Sequence, residues 1–133
     1  MSTANDLRLV LVTPETTLLD EPVQALRFPL FDGQAGVLPG RAPMVGRLGF
    51  GELKITTSAG EQSYFVDGGF VQVKGPVVSL LTNRALAADQ INADEAAEQL
   101  RDASQRVPTT DPEFQSKERD QERARRMLAM TGR

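Results

Sequence analysis

The stretch Gly51-Glu52-Leu53-Lys54-Ile55-Thr56-Thr57, then Ser58-Ala59-Gly60-Glu61, then Gln62-Ser63-Tyr64-Phe65-Val66-Asp67 decides the fold. Two β-prone runs flank four turn-forming residues, which is the pattern of a hairpin. Asp67-Gly68-Gly69 reads as a second tight reversal, followed by strands at Phe70–Lys74 and Val77–Thr82. Working outward, further short strands are expected at Leu7–Val12, Thr16–Leu19, Val23–Phe28 and Gly36–Leu38. Many short strands at this spacing argue an all-β sandwich or barrel.

The pattern stops abruptly. Ten of the 11 glycines and six of the 8 prolines lie at or before Pro76. From about Ala85 the chain turns rich in Ala, Glu, Gln and Arg, which are good helix formers. A boundary between residues 86 and 90 follows, giving a sandwich domain over 1–88 and a helical domain over 89–133. Asn92-Ala93-Asp94-Glu95 pairs a capping residue with a Glu three positions on, the signature of a helix start. Ala93, Ala96, Ala97, Leu100, Ser104 and Val107 recur at helical spacing. Pro108-Thr109-Thr110-Asp111-Pro112 ends that helix and begins another, with Asp111 expected as its N-cap and Pro112 at its first position. The expected class is α+β: an N-terminal sandwich of about eight to ten short strands, then an antiparallel two-helix hairpin.

The hairpin should be held weakly. Its facing stripe on helix one is mainly alanine, and helix two follows Phe114 with Lys117, Glu118 and Gln121 before Ala124, Met127, Leu128 and Met130 restore apolarity. At about 25 cal/mol per Å² of apolar area, such a pair gains only a few kcal/mol from its own contacts. On the residues alone, a solvated helical tail and a mobile arm fit equally well.

Composition excludes much of enzyme chemistry. The 133 residues contain no His and no Cys, which removes Ser–His and Cys–His nucleophiles, the usual zinc ligand sets and disulfides. A net charge of −3 offers no basic field for nucleic acid. No apolar run nears the roughly 20 residues of a membrane span, and the N-terminus reads as neither signal nor transit peptide, so a cytoplasmic setting is expected. Asp20 and Glu21 are adjacent on a strand and should face opposite ways, which suits them poorly to paired acid–base work. The run from Phe31 to Pro43, with 3 glycines and 2 prolines, lacks the Gly-Lys-Ser/Thr ending of a phosphate loop. It reads as a rigid, irregular contact loop. On helix two, Glu122 and Arg126 have ion-pair spacing, while Arg119, Arg123 and Arg126 share one face.

The stretch Asp32-Gly33-Gln34-Ala35-Gly36-Val37-Leu38-Pro39-Gly40-Arg41-Ala42-Pro43-Met44 resembles the (acidic)-Gly-x-x-Gly-(aliphatic)-x-Pro-Gly-(His/Arg)-Ala-Pro-(aliphatic) loop of the epsilon subunits of F-type ATP synthases. Tyr64 to Val73 is similar to the same family's aromatic, double-glycine hairpin, and Leu11-Val12-Thr13-Pro14-Glu15 to its first strand and turn. The likeness covers nearly the whole chain. It implies a rotor component without catalytic residues, metal or cofactor of its own. Its sandwich would pack on the gamma subunit and sit on the c-ring, coupling ring rotation to the catalytic head during ATP synthesis driven by an ion gradient. The loop with Asp32, Gly33, Gln34 and Arg41 would face the c-ring, Gln34 and Arg41 standing where relatives often carry an acid and a His. The hairpin would fold against the sandwich or extend to meet the alpha and beta subunits, with Arg119, Arg123 and Arg126 restraining hydrolysis. The family's nucleotide motif is degenerate here: Asn92 stands for its Asp and Glu95 for its phosphate-pairing Arg, so no useful ATP binding is expected. The resemblance implies a peripheral place on the cytoplasmic face of the cell membrane, with no direct membrane insertion. A free-standing sandwich that recruits another partner through its hairpin is the alternative.

Overall fold

A computed structural model describes residues 7–38, 40 and 42–131. The chain divides into two compact units, Met1–Ala87 and Ala88–Arg133. The first is a sandwich of two five-stranded sheets. Its strands are β1 (Leu7–Val12), β2 (Thr17–Val23), β3 (Ala25–Leu30), β4 (Gly33–Val37), β5 (Met44–Arg47), β6 (Phe50–Thr57), β7 (Gly60–Asp67), β8 (Phe70–Lys74), β9 (Val77–Leu81) and β10 (Ala85–Ala87). One sheet runs β2-β1-β9-β8-β5 and the other β10-β7-β6-β3-β4. Pairing is antiparallel except between β1 and β9, which run parallel.

Strict alternation builds the core. Leu7, Leu9 and Leu11 of β1 face inward with Val71, Val73, Val78 and Leu80, against Leu26, Phe28, Val37, Leu53, Ile55 and Val66 of the other sheet. Removing one such leucine or phenylalanine side chain from water is worth about 2 to 3 kcal/mol. The β6–β7 hairpin closes at Ser58-Ala59, with Thr57 opposite Gly60 and the Thr57 hydroxyl donating to the Gly60 carbonyl at 3.1 Å.

In the sandwich, four expectations need correction. Asp67-Gly68-Gly69 is not a hairpin turn, because β7 and β8 belong to different sheets; it is the corner where the chain crosses between them. Gly69 sits at φ +110°, and a Cβ there would lie 1.8 Å from the Leu81 carbonyl oxygen. The corner is tied by Thr82, whose buried hydroxyl accepts from the Asp67 amide and donates to the Arg84 carbonyl, both at 3.1 Å. The strand expected at Gly36–Leu38 begins earlier, as β4 at Gly33–Val37 against β3, so less of the run from Phe31 to Pro43 is irregular. Both β5 and β10 were unexpected. Finally, β2 runs unbroken to Val23 through Pro22, which a sheet-edge position tolerates because that residue needs no outward donor.

The second unit holds a short 3-10 turn at Ala88–Gln90, α1 (Ala93–Gln105) and α2 (Asp111–Thr131). Asn92 caps α1, its side chain accepting from the Glu95 amide at 3.1 Å. The N-cap of α2 is Thr110, not Asp111, so Pro112 lies one place further in than expected. The Glu113 amide donates to the Thr110 hydroxyl, while the Glu113 carboxylate accepts from the amides of Thr109 and Thr110. This reciprocal arrangement satisfies the free amides of the first turn. Those hydrogen bonds, the Thr109 amide foremost and then its hydroxyl, hold the Glu113 carboxyl below its ordinary pKa. The buried face is thin: Ala96 and Ala103 on α1, Ala124, Met127 and Met130 on α2, with Ile91 beside them. Ala93 is exposed and Val107 lies beyond the helix at 85% exposure; Phe114 is exposed as well.

Candidate functional site

Among the described residues no group of three His, Cys, Asp or Glu side chains is placed to hold a metal ion, and no helix is long and apolar enough to cross a membrane. Asp20 and Glu21 do point opposite ways. Asp20 pairs with Arg8 at 2.7 Å on the outer face, while Glu21 stands on the inward side across from Leu9. What the surface offers is contact area.

Exposed apolar residues gather on the outer face of the β2-β1-β9-β8-β5 sheet. Cross-strand register sets Arg47, Phe70, Leu81 and Val12 in one lateral row, and Val45, Gln72, Ser79 and Val10 in the row beside it. Val45 is 75% exposed, Phe70 58% and Leu81 51%, too much apolar area at one place for a surface meant only for water. The sequence carried a sign of this face that went unread. Phe70-Val71 and Leu80-Leu81 put apolar residues at both parities of a strand, so each strand offers one to the core and one outward.

The loop proposed for ring contact adjoins this face. Asp32 lies in the two-residue turn between β3 and β4, and Gly33 and Gln34 open β4, all three exposed. Arg41 falls outside the described residues. Phe31, exposed beside Asp32, has the Arg47 guanidinium 4.7 Å from its ring centroid, and its amide donates to the Arg47 carbonyl at 2.9 Å. A cation over an aromatic face is attracted by the ring quadrupole. The turn and the apolar row therefore meet through Arg47.

The three candidate arginines of α2 are not equivalent. Arg119 and Arg126 are exposed, and Arg126 pairs with Glu122 at 3.0 Å. Arg123 is half-buried and its Nη1 lies 2.9 Å from Asp120 Oδ1. The other oxygen of Asp120 lies 2.6 Å from Nη1 of Arg106, just past the end of α1. Burial pushes the Asp120 carboxyl up, but the hydrogen bond and charge of Arg106, then those of Arg123, outweigh it and leave the pKa lowered. Lys117 donates to the Arg106 carbonyl at 2.9 Å, and Gln121 to Ser104 at 3.2 Å. The sequence analysis missed Asp120 and Arg106; no periodicity marks them, since their meeting depends on the loop that joins the helices. Asn92 and Glu95 are engaged in capping α1.

A ten-stranded sandwich followed by a helical hairpin, with exposed apolar residues on one sheet face, is the architecture of a protein suited to docking on others. Residues 6–88 match the beta-sandwich domain of the ATP synthase Delta/Epsilon chain. The chain is 46% identical over 122 residues to an ATP synthase epsilon chain of Rhodopirellula baltica, covering 92% of this chain and 95% of that one. One chain in the structure of the Euglena gracilis mitochondrial ATP synthase (OSCP/F1/c-ring) superposes with TM-score 0.84 at 27% identity, covering 97% of this chain and 82% of its own. A chain from the central stalk and c-ring of the Tetrahymena thermophila mitochondrial enzyme shares the fold, with TM-score 0.76 at 15% identity over 94% of this chain and 96% of its own. The chain belongs to the epsilon-chain family of ATP synthase, whose members are non-catalytic stalk subunits.

Proposed function

We propose that the sandwich, residues 1–88, docks this chain into a rotary stalk and that the hairpin, residues 89–133, is an arm that restrains ATP hydrolysis. The outer-face row of Val12, Leu81, Phe70 and Arg47 would lie against the gamma subunit. The adjoining turn with Asp32, Gly33 and Gln34, together with Arg41, would face the c-ring. The continuity of these two surfaces through Phe31 and Arg47 carries the reading, because one rigid sandwich then touches both partners at once and can pass torque between them. Docked this way, the chain couples ring rotation to the catalytic head during synthesis driven by an ion gradient. It would sit peripherally on the cytoplasmic face of the membrane. The hairpin's exposed Arg119 and Arg126, with Arg123 once freed, supply cations for acidic surfaces of the alpha and beta subunits.

The test is reconstitution into the source synthase stripped of its own subunit, with ATP hydrolysis and ion pumping both followed. Full-length chain and a chain ending at Ala88 should each restore pumping, and only the full-length form should lower hydrolysis. Charge reversal of Arg119, Arg123 and Arg126 together should relieve that inhibition without loss of assembly. Failure of either form to bind would remove the docking reading, and unchanged hydrolysis in the triple variant would remove the role of the arginines.

A further inference from the structure

We propose that Asp120 is the latch of the hairpin: its pair with Arg106, rather than apolar packing, decides whether α1 and α2 stay together. The proposal deepens the reading of the hairpin as an arm, and rests on it. The apolar seam is thin: its buried residues are Ala96 and Ala103 on α1 and Ala124, Met127 and Met130 on α2, and no residue of α2 before Ala124 is buried. Toward the tip, Val107 and Phe114 face solvent. The direct side-chain links between the helices stand in the same region: Arg106 to Asp120, Lys117 to the Arg106 carbonyl, and Gln121 to Ser104.

The charge arrangement makes Asp120 more than one hydrogen-bond partner. Its two oxygens are divided between Arg106 and Arg123, and Lys117 is tied to the backbone of Arg106. One carboxylate therefore joins a cation of α2 to the cation just past the end of α1. Remove its charge and Arg106 loses the carboxylate that ties it to α2. Lys117 also places a cation at the C-terminal end of α1, whose last turn carries none of its own. Because these groups are partly exposed, the latch is open to ionic screening.

The native chain has no cysteine, so Gln99→Cys with Ala129→Cys, both exposed, accept spin labels that report the interhelix distance in the full-length chain. Asp120→Asn should raise the separated population about fivefold, the effect of losing one charge-assisted pair. Arg106→Gln alone should open the hairpin less, and added to Asp120→Asn it should partly restore closure, because it removes the cation that has lost its carboxylate. A merely structural Asp120 would show no such rescue. Salt titration of the unsubstituted latch should open the hairpin progressively and should act much less on the double variant; this arm needs no change at Asp120 and holds even if that variant folds poorly. An unchanged distance distribution in Asp120→Asn, or opening without rescue, would overturn the latch. Hydrolysis measured with the same variants separates the two readings. If the hairpin opens in the free chain while hydrolysis is unaffected, the latch stands and the inhibitory arm falls.

Discussion

Gly69→Ala should be the most damaging single-methyl change in the sandwich. Two costs combine at this corner. The backbone at φ +110° is one that L-residues rarely adopt, a strain of about 1 to 3 kcal/mol. The added Cβ would also lie 1.8 Å from the Leu81 carbonyl oxygen and 2.8 Å from Thr82 Cα. Those are backbone atoms at the end of β9, held by the Thr82 hydrogen bonds to Asp67 and Arg84, so relief requires the start of β8 and the end of β9 to part. Moving packed backbone costs roughly another 1 to 3 kcal/mol, for a total of about 2 to 6 kcal/mol. Gly75→Ala is the matched control. It has positive φ, +61°, but nothing within 4 Å of the new methyl, so only the left-handed penalty of about 1 to 2 kcal/mol applies. Tyr64 is the only tyrosine and the chain lacks tryptophan, so tyrosine fluorescence during urea unfolding reports on the sandwich alone. Equal losses in the two variants would refute the close-approach argument.

Further outcomes follow from the hairpin. The Asp120 carboxyl is held below its ordinary value, so its contribution is complete above the ordinary carboxylate range and disappears as pH falls through the lowered value. Interhelix distance should therefore be flat from about pH 6 to 8 and rise only below about pH 4; a transition near neutrality would contradict the assignment. Calorimetry with ATP at near-physiological salt should show no binding in the millimolar range, because the Asn92 side chain is engaged in capping α1 and the Glu95 carboxylate would repel phosphate.

Much of the sandwich is legible because burial imposes a period of two. In β6, Leu53 and Ile55 alternate with Lys54 and Thr56, and Ser58 to Gly60 supply a turn. What escapes is decided by tertiary pairing. Strand β10 is Ala-Leu-Ala, a helix-prone composition, and is extended because β7 offers it an open edge. Strand β5 is four residues long, contains Gly46 and borders only β8. The Asp67–Gly69 corner has the residues of a hairpin turn, and only the sheet assignments of β7 and β8 distinguish the two. In the hairpin, a helical wheel places Arg119, Arg123 and Arg126 on one face. It cannot say that α1 lies on the Arg123 side, which is why the partner Asp120 went unseen.

The parallel pairing of β1 with β9 sets an order of events at the ribosome. These two strands are neighbours in one sheet, with Arg8 opposite Val77 and its amide donating to the Pro76 carbonyl at 2.7 Å. Nearly the whole sandwich sequence must therefore emerge before its first strand finds its place, and contacts of such separation form slowly. Until then β1 presents Leu7, Leu9 and Leu11 to whatever is nearby, which makes it the segment for a chaperone to shield. The hairpin, whose contacts are local, emerges later and can pair within microseconds to milliseconds. In a newly made chain, the sandwich thus has the few seconds in which the rest is translated to close around β1 before the appendage exists.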